Sequence, residues 1–347
     1  MRVAFVYPNP RGDLPVRVAA GDAPDTNLLG QNHLGALGID AFAYDSLLRR
    51  RTPRSTALHR ITWHGRELTL PWELRSADLI VTPLADLLPL VSRLRRRPRV
   101  LLVSYHLVSA WDRAGGARRR LQRASLGAAA GILTVSEAAR TRLLERTGMP
   151  ESHVRTATLG VDTVWWTSTP VPSDGFVLTV GRDLARDYKT FIGAMAGLQT
   201  RAVIVAKKEN LRGIDVPENV EVRLNISPAE VRALYAQARC VVVPVHPETD
   251  PRGTENSGTI AMLEAMASGR PVVVSDRPYL RDYVSPETAR VVPPADASAM
   301  REAVRSLLDD DVEATTLADT ARRAAVERHS TRAFAARLAE AIGALPW

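Results

Sequence analysis

Short apolar runs rich in β-branched residues recur along the chain, and helical periodicity fills the gaps between them. In the first half the runs are RVAFVY at 2–7, DAFAYD at 40–45, DLIVTPL at 78–84, RVLLVSYH at 99–106 and GILTVS at 131–136. Between them lie stretches such as the Ala- and Arg-rich segment 114–130. Runs apolar on both faces, with helices intervening, predict a parallel sheet with crossover helices. The alternation breaks at 163–175, TVWWTSTPVPSDG, where prolines with Ser, Thr and Gly predict a linker. It restarts with FVLTVGR, AVIVAKK, VEVRLN, CVVVPVH, PVVVSD and ARVVPP. The whole pattern predicts two doubly wound α/β domains in tandem. The tail, 330–345, carries Phe334, Leu338 and Ile342 at fourfold spacing, which predicts an amphipathic helix.

Composition narrows this picture little. At 347 residues the chain is long enough for each domain to bury its own core. One cysteine, Cys240, excludes an intrachain disulfide, and its place in CVVVPV makes it a core residue. No apolar run approaches the ~20 residues that span a bilayer. Met1 runs into RVAFVYP without a long apolar region, so no leader is read and the expected location is the cytoplasm.

Charge adds more. The net charge is +8, and residues 1–170 hold 24 arginines against 14 acids. The excess sits in Arg49 to Arg51 with Arg54, in Arg93 with Arg95 to Arg97 and Arg99, and in Arg118 to Arg120. Most such clusters are solvated faces. The functional alternative is an anionic partner for the first half: a membrane surface, with the protein peripheral at its inner face, or a phosphorylated acceptor. Nucleic acid is disfavoured, because no aromatics interleave with the clusters.

Ligands of open parallel sheets bind at the carboxyl ends of the strands. In the second domain the first strand runs into VGRDLARDYKT. Arg182 leaves the strand directly, and Lys189 stands where a helix begins. Two cations there can converge on one anion. Further on, Ser257 is placed to cap a helix starting at Gly258, whose missing side chain opens the first turn to a phosphate. On that helix Ile260, Leu263 and Ala267 share a stripe expected to face the core. Glu264 shares another with Ala261, Ala265 and Ser268, small residues that leave room for a flat ligand whose hydroxyls the carboxylate would accept. His246, Glu248 and Asp250 make an unconvincing metal set, and no metal or cofactor is expected.

At these residues the chain resembles a family. SGTIAMLEAMASGRPVVVSD is similar to the nucleotide-binding segment of retaining glycosyltransferases of the family 4 type, which have the GT-B fold. LTVGRDLARDYKTFIGAM resembles their Gly-Arg…Lys segment. ILTVSEAARTRLLERTGMPESHVRTATLGVDT resembles the close of their first domain, and SPAEVRALYAQARCVVVPV the stretch before the nucleotide-binding helix. The likeness covers most of 99–295 in the expected order, and the first hundred residues match loosely.

The resemblance implies two Rossmann-like domains facing each other across a cleft. The first, 1–165, would bind the acceptor, and the second, 166–328, the nucleotide sugar. A last helix in 329–347 would pack back on the first. The donor would be a nucleoside-diphosphate sugar, and the reaction transfer to a hydroxyl with retention, in cell-envelope glycan or glycolipid assembly or natural-product glycosylation. Arg182 and Lys189 would bind the diphosphate and neutralise the leaving group. Ser257, Gly258 and Thr259 would hold the diphosphate or sugar, Glu264 the ribose hydroxyls, and Leu224 and Asn225 the base. His106 would face the donor sugar.

One departure concerns the sugar. The family pattern has two glutamates separated by seven residues; counted back from Glu264 in that way, Asn256 stands there, with Glu255 one step further out. Either Glu255 or Asn256 would then contact the donor sugar. Other readings are a nucleotide-sugar 2-epimerase on the same fold and a non-catalytic nucleotide-sugar-binding relative.

Overall fold

The computed structural model describes residues 1–9, 11–45, 57–96, 98–167 and 169–346, with backbone alone at 57–64. Arg49 to Arg51, Arg54 and Arg97 lie outside the described residues. The chain divides into two compact units. One comprises Met1–Val16, Leu28–Thr158 and Phe334–Trp347, and the other Arg17–Asn27 and Leu159–Ala333.

The first unit holds β1 (Arg2–Val6), β2 (Asp40–Tyr44), β3 (Leu79–Thr82), β4 (Arg99–Ser104), β5 (Gly131–Thr134) and β6 (Val154–Thr156). They form one six-stranded sheet in the order β2-β1-β3-β4-β5-β6. Every pairing is parallel. Its helices include α1 (Leu14–Ala19), which runs into the second unit, α2 (Ala57–Glu73), α3 (Leu88–Leu94), α4 (Leu107–Asp112), α5 (Gly116–Ala128) and α6 (Glu137–Thr147). The core joins Ala4, Val6, Ile80, Leu102 and Ile132 from the strands to Leu70, Leu88, Leu126 and Leu143 from the helices.

The second unit repeats the plan. β7 (Phe176–Val180), β8 (Ala202–Ala206), β9 (Val220–Leu224), β10 (Ala238–Val243), β11 (Val272–Ser275) and β12 (Arg290–Val292) form a parallel sheet. Its order is β12-β11-β10-β7-β8-β9. Its helices include α7 (Tyr188–Met195), α8 (Pro228–Gln237), α9 (Thr259–Ala267), α10 (Ala297–Asp309) and α11 (Asp311–Arg328). The last helix, α12 (Thr331–Gly343), passes from this unit into the first. Val241 to Val243 and Val272 to Val274 are all buried. Each such valine contributes about 1.5–3 kcal/mol relative to exposure. Cys240 is buried among them and unpaired.

Local sequence sets the helix starts. Asp187 caps α7, accepting from the Thr190 amide at 3.1 Å. Ser227 and Glu230 form a reciprocal capping box on α8, and Asp296 caps α10. Segment 17–27 belongs to the second unit because the Asp25 amide donates to Asp162 Oδ2 at 2.8 Å. Thr331 Oγ1 also donates to Asp25 Oδ2 at 3.1 Å.

The expected linker is not a free tether at its start. Trp165 and Trp166 are buried, and Trp166 meets the Tyr235 ring edge-on at 5.3 Å. Further along, Arg270 donates to the carbonyl of Pro170. The expected stripe of the tail is buried, with Phe334, Leu338 and Ile342 all inside. Among the described residues no helix is long and apolar enough to cross a membrane.

Candidate functional site

In the second sheet the order reverses between β7 and β10. Crevices at such switch points, beyond the carboxyl ends of the strands, are where doubly wound sheets take ligands. The segments leaving these two strands meet there: the Arg186 and Val245 backbones form an antiparallel bridge. The Asp187 amide donates to the Pro244 carbonyl, and the His246 amide to that of Ala185.

Arg186 is the central side chain of this crossing. It is only 6% exposed. Its Nε donates to Asp183 Oδ2 at 3.1 Å. Its Nη1 is buried and has no hydrogen-bond partner among the described residues. Two glycines make room for it. A Cβ on Gly181 would stand 2.0 Å from Arg186 Nε, and one on Gly258 would stand 3.5 Å from Nη1. A buried guanidinium nitrogen left unsatisfied bears a desolvation cost that an anion would relieve.

Gly258 opens α9. Its φ is 92°, in the left-handed region, and no side chain caps the helix. The first amides of a helix have no intrahelical acceptor; here that of Thr259 donates to the Asn256 carbonyl at 3.3 Å, and the positive end of the dipole lies at this turn. The expected cap is corrected. The Ser257 hydroxyl turns back to the loop and accepts from the Thr254 amide at 3.0 Å, because left-handed Gly258 takes the cap position. Thr259 begins the helix and is buried.

Glu264 lies one turn along, partly buried. Tyr235 Oη, on α8, lies 3.3 Å from its Oε2 and 3.2 Å from the Ala261 carbonyl. Burial pushes the Glu264 carboxyl up from 4.5 to about 7, while the Tyr235 hydrogen bond and the charge of Arg186 pull it down. The stripe of small residues beside Glu264 is not open. Ala261, Ala265 and Ser268 are buried along with Leu263 and Ala267, and Ile260 is only partly so. The reason is that α9 packs against α11, whose buried Ala318, Ala321 and Ala325 form a surface of matching small residues.

The other expected residues fall as follows. Arg182 is exposed, and its Nη2 donates to the Ile226 carbonyl at 3.0 Å. It therefore meets the turn of Leu224 and Asn225, where Leu224 is exposed and Asn225 has a φ of 55°. Lys189 is exposed in the first turn of α7. Glu255 is buried, and partly buried Asn256 keeps an Oδ1 with no partner among the described residues. His246 Nδ1 lies 3.5 Å from Asp187 Oδ2. Among the described residues no group of three or more His, Cys, Asp or Glu is placed to hold a metal ion. In the first unit His106 is exposed just beyond β4, at the start of α4.

Sequence reasoning missed Arg186. The sequence reading named Arg182 at the strand end and Lys189 at the helix start, and buried Arg186 lies between them, immediately before the cap Asp187. The side-chain-free Gly181 was the signal in the sequence.

Comparison with known proteins agrees with this architecture. Residues 7–165 match the family model described as Glycosyltransferase Family 4. Residues 175–310 match the model described as Glycosyl transferases group 1. The MMP alpha-(1->4)-mannosyltransferase of Mycolicibacterium hassiacum is 33% identical over 125 residues, 35% of this chain. That stretch spans 28% of the relative's own length.

Among solved structures, the sucrose-phosphate synthase from Thermosynechococcus elongatus superposes with a TM-score of 0.73 at 19% identity. The match covers 99% of this chain and 98% of that one. Anabaena HepE in complex with UDP-glucose gives 0.72 at 15% identity, over 99% of this chain and 100% of that one. These likenesses show the fold: two-domain α/β, of the GT-B type.

Proposed function

We propose that this chain, whose two halves match glycosyltransferase models and whose fold is GT-B, transfers a sugar from a nucleoside-diphosphate donor to a hydroxyl acceptor. The observation that carries the reading is buried Arg186, with Nη1 unpartnered beside the uncapped start of α9 and Glu264 one turn beyond. A nucleoside diphosphate matches both ends of this arrangement. Its phosphates supply the anion that Nη1 and the helix amides lack, and its ribose diol supplies donors to the Glu264 carboxylate. The neighbour complexes with UDP and UDP-glucose support a nucleotide donor, and the mannosyltransferase relative supports a hexosyl group.

In this reading the bond between the anomeric carbon and the phosphate oxygen breaks, and the developing charge falls on the diphosphate. Arg186, the α9 amides and Arg182 neutralise it, with Lys189 as an outer cation. Preorganised donors of this kind cost nothing to reorient as charge develops. Retention follows if the acceptor hydroxyl attacks from the face the diphosphate leaves, its proton passing to a departing phosphate oxygen. Arg182 and the Leu224–Asn225 turn border the base. Asn256, with its unpartnered Oδ1, is the better placed of the two candidates for the donor sugar.

The test is calorimetry with UDP, GDP, ADP and TDP on the wild type, Arg186→Met and Lys189→Ala. One nucleotide should bind in the micromolar range. Arg186→Met should weaken it at least tenfold, about 1.4 kcal/mol, and Lys189→Ala by less. If no nucleotide binds, the reading is wrong. If Lys189→Ala costs more than Arg186→Met, the diphosphate lies elsewhere than beside Gly258.

A further inference from the structure

The first unit has a switch point of its own. Its strand order places β1 between β2 and β3, and the carboxyl ends of β1, β3 and β4 open on a cavity of about 360 Å³. Pro8, Pro83 and His106 come from those strand ends. The volume is near the lower end of the range for small-molecule sites, roughly 300–1,000 Å³.

Two buried polar side chains face this cavity. Glu67, on α2, is 4% exposed and lines it. Its Oε2 accepts from the Leu87 and Leu88 amides at 2.7 and 2.8 Å, which fixes the carboxyl at the start of α3. Gln122, on α5, is 7% exposed and also lines the cavity. Its Oε1 is buried with no partner among the described residues. Leaving such an acceptor unmet costs about 1–3 kcal/mol. Trp111 and Leu126 give the same cavity an apolar wall.

The chemistry of the lining selects the guest. The buried groups, Gln122 Oε1 and the Glu67 carboxyl, are acceptors, whereas the donors His106, Arg113 and Arg118 are exposed, so at depth the guest must bring donors. A phosphate or carboxylate brings acceptors. Of the lining charges, Asp86 lies 4.0 Å from Arg118, and both arginines, Arg113 and Arg118, are exposed. An anion would gain little from cations that water screens. A ring with several hydroxyls on one side and C–H groups on the other meets both the acceptors and the apolar wall.

We infer that this cavity binds the acceptor as a neutral, polyhydroxylated ring, a glycoside or cyclitol, with Gln122 and Glu67 receiving its hydroxyls. The inference rests on the glycosyl-transfer reading and goes beyond it in naming the acceptor class. It also turns away from the anionic acceptor that the arginine clusters suggested.

The test uses methyl α-D-glucopyranoside, methyl α-D-mannopyranoside, maltose and myo-inositol, with glucose 6-phosphate as the anionic counterpart. Binding is read by saturation-transfer NMR on the full chain with nucleotide present. At least one neutral probe should bind. Gln122→Leu, of similar shape, should weaken it at least tenfold while leaving nucleotide affinity unchanged. Melting temperature serves as the folding control, and removing an unmet buried acceptor should leave it level or raise it. On the wild type, hydrogen exchange should slow at Leu87, Leu88 and the α5 amides when the sugar is added, a readout that does not depend on any variant.

If nucleotide binds but no neutral probe does, the inference is overturned and the glycosyl-transfer reading stands. The inference is equally overturned if glucose 6-phosphate alone binds, if protection appears only elsewhere, or if Gln122→Leu binds sugar normally. If nucleotide fails to bind, the inference falls together with the reading beneath it.

Discussion

Replacing Glu264 by glutamine should make the empty protein more stable at pH 8 and leave it unchanged at acid pH. Folding raises this carboxyl from 4.5 to about 7 through burial, against the Tyr235 hydrogen bond and Arg186. Between those two values the folded chain holds a proton that the unfolded chain has released. Stability from this group is therefore complete below about 4.5, falls as pH rises through about 7, and is level above. The shift is worth about 3 kcal/mol at most, and about 2 once the water that reaches the side chain is allowed for. Glutamine has the same shape, still accepts from Tyr235, and never ionises. Wild type and Glu264→Gln are compared at pH 5 and pH 8 by hydrogen exchange of the α9 and β10 amides, which reports on the second unit by itself. The variant should gain about 2–3 kcal/mol at pH 8 and much less at pH 5. Its nucleotide affinity should move the other way, at least tenfold weaker at pH 8, because a carboxylate accepts both ribose hydroxyls and an amide oxygen only one. An equal difference at both pH values would mean the carboxyl is not held neutral. A stabilised variant that binds nucleotide normally would remove Glu264 from the ribose.

Two glycines give sharper structural tests. Gly181→Ala would place a methyl 2.0 Å from Arg186 Nε, so the guanidinium must leave; nucleotide affinity should fall at least as far as in Arg186→Met, with the far-ultraviolet dichroism unchanged. Gly258→Ala combines a φ of 92° with a Cβ 2.9 Å from Val245 Cγ2; thermal unfolding should show a loss of about 1–3 kcal/mol, and an unperturbed melting curve would contradict the left-handed cap.

Much of the fold was legible because its strands are buried on both faces. Runs such as VLLVS, AVIVA and VVVS can hardly be anything else in a chain punctuated by helices. β6 escaped notice because it has three residues, and exposed Arg155 sits in the middle of them. Segment 163–175 carries no helix or strand among its described residues, but Trp165 and Trp166 near its start are buried. Prolines and serines were given more weight than Trp165 and Trp166, although burying two indoles outweighs local turn preference. At the candidate site the structure departs from the sequence reading at particular residues. Ser257 has the chemistry of a cap and sits one position too early once Gly258 takes a left-handed turn. The alanines of α9 looked like an open face and are buried. Gln122 carried no signal at all, since an amide in an arginine-rich helix reads as solvated until the packing around it is seen.

The two residues most important to the proposed donor site are also poor choices for stability alone. A carboxyl pushed to about 7 loses folding energy at neutral pH, and a buried guanidinium with Nη1 unpartnered bears a desolvation cost that Asp183 offsets only through Nε. Closing the two into an ion pair would relieve both, yet Arg186 pairs with Asp183 and Glu264 with Tyr235. In the proposed reading the two groups are separate points of contact for one ligand. A diphosphate and a ribose diol joined by a few bonds fit that spacing of demands, an anion for one and a pair of donors for the other. In the proposed reading, binding of the nucleotide would meet both demands together, and the stability given up by the empty protein would return as affinity.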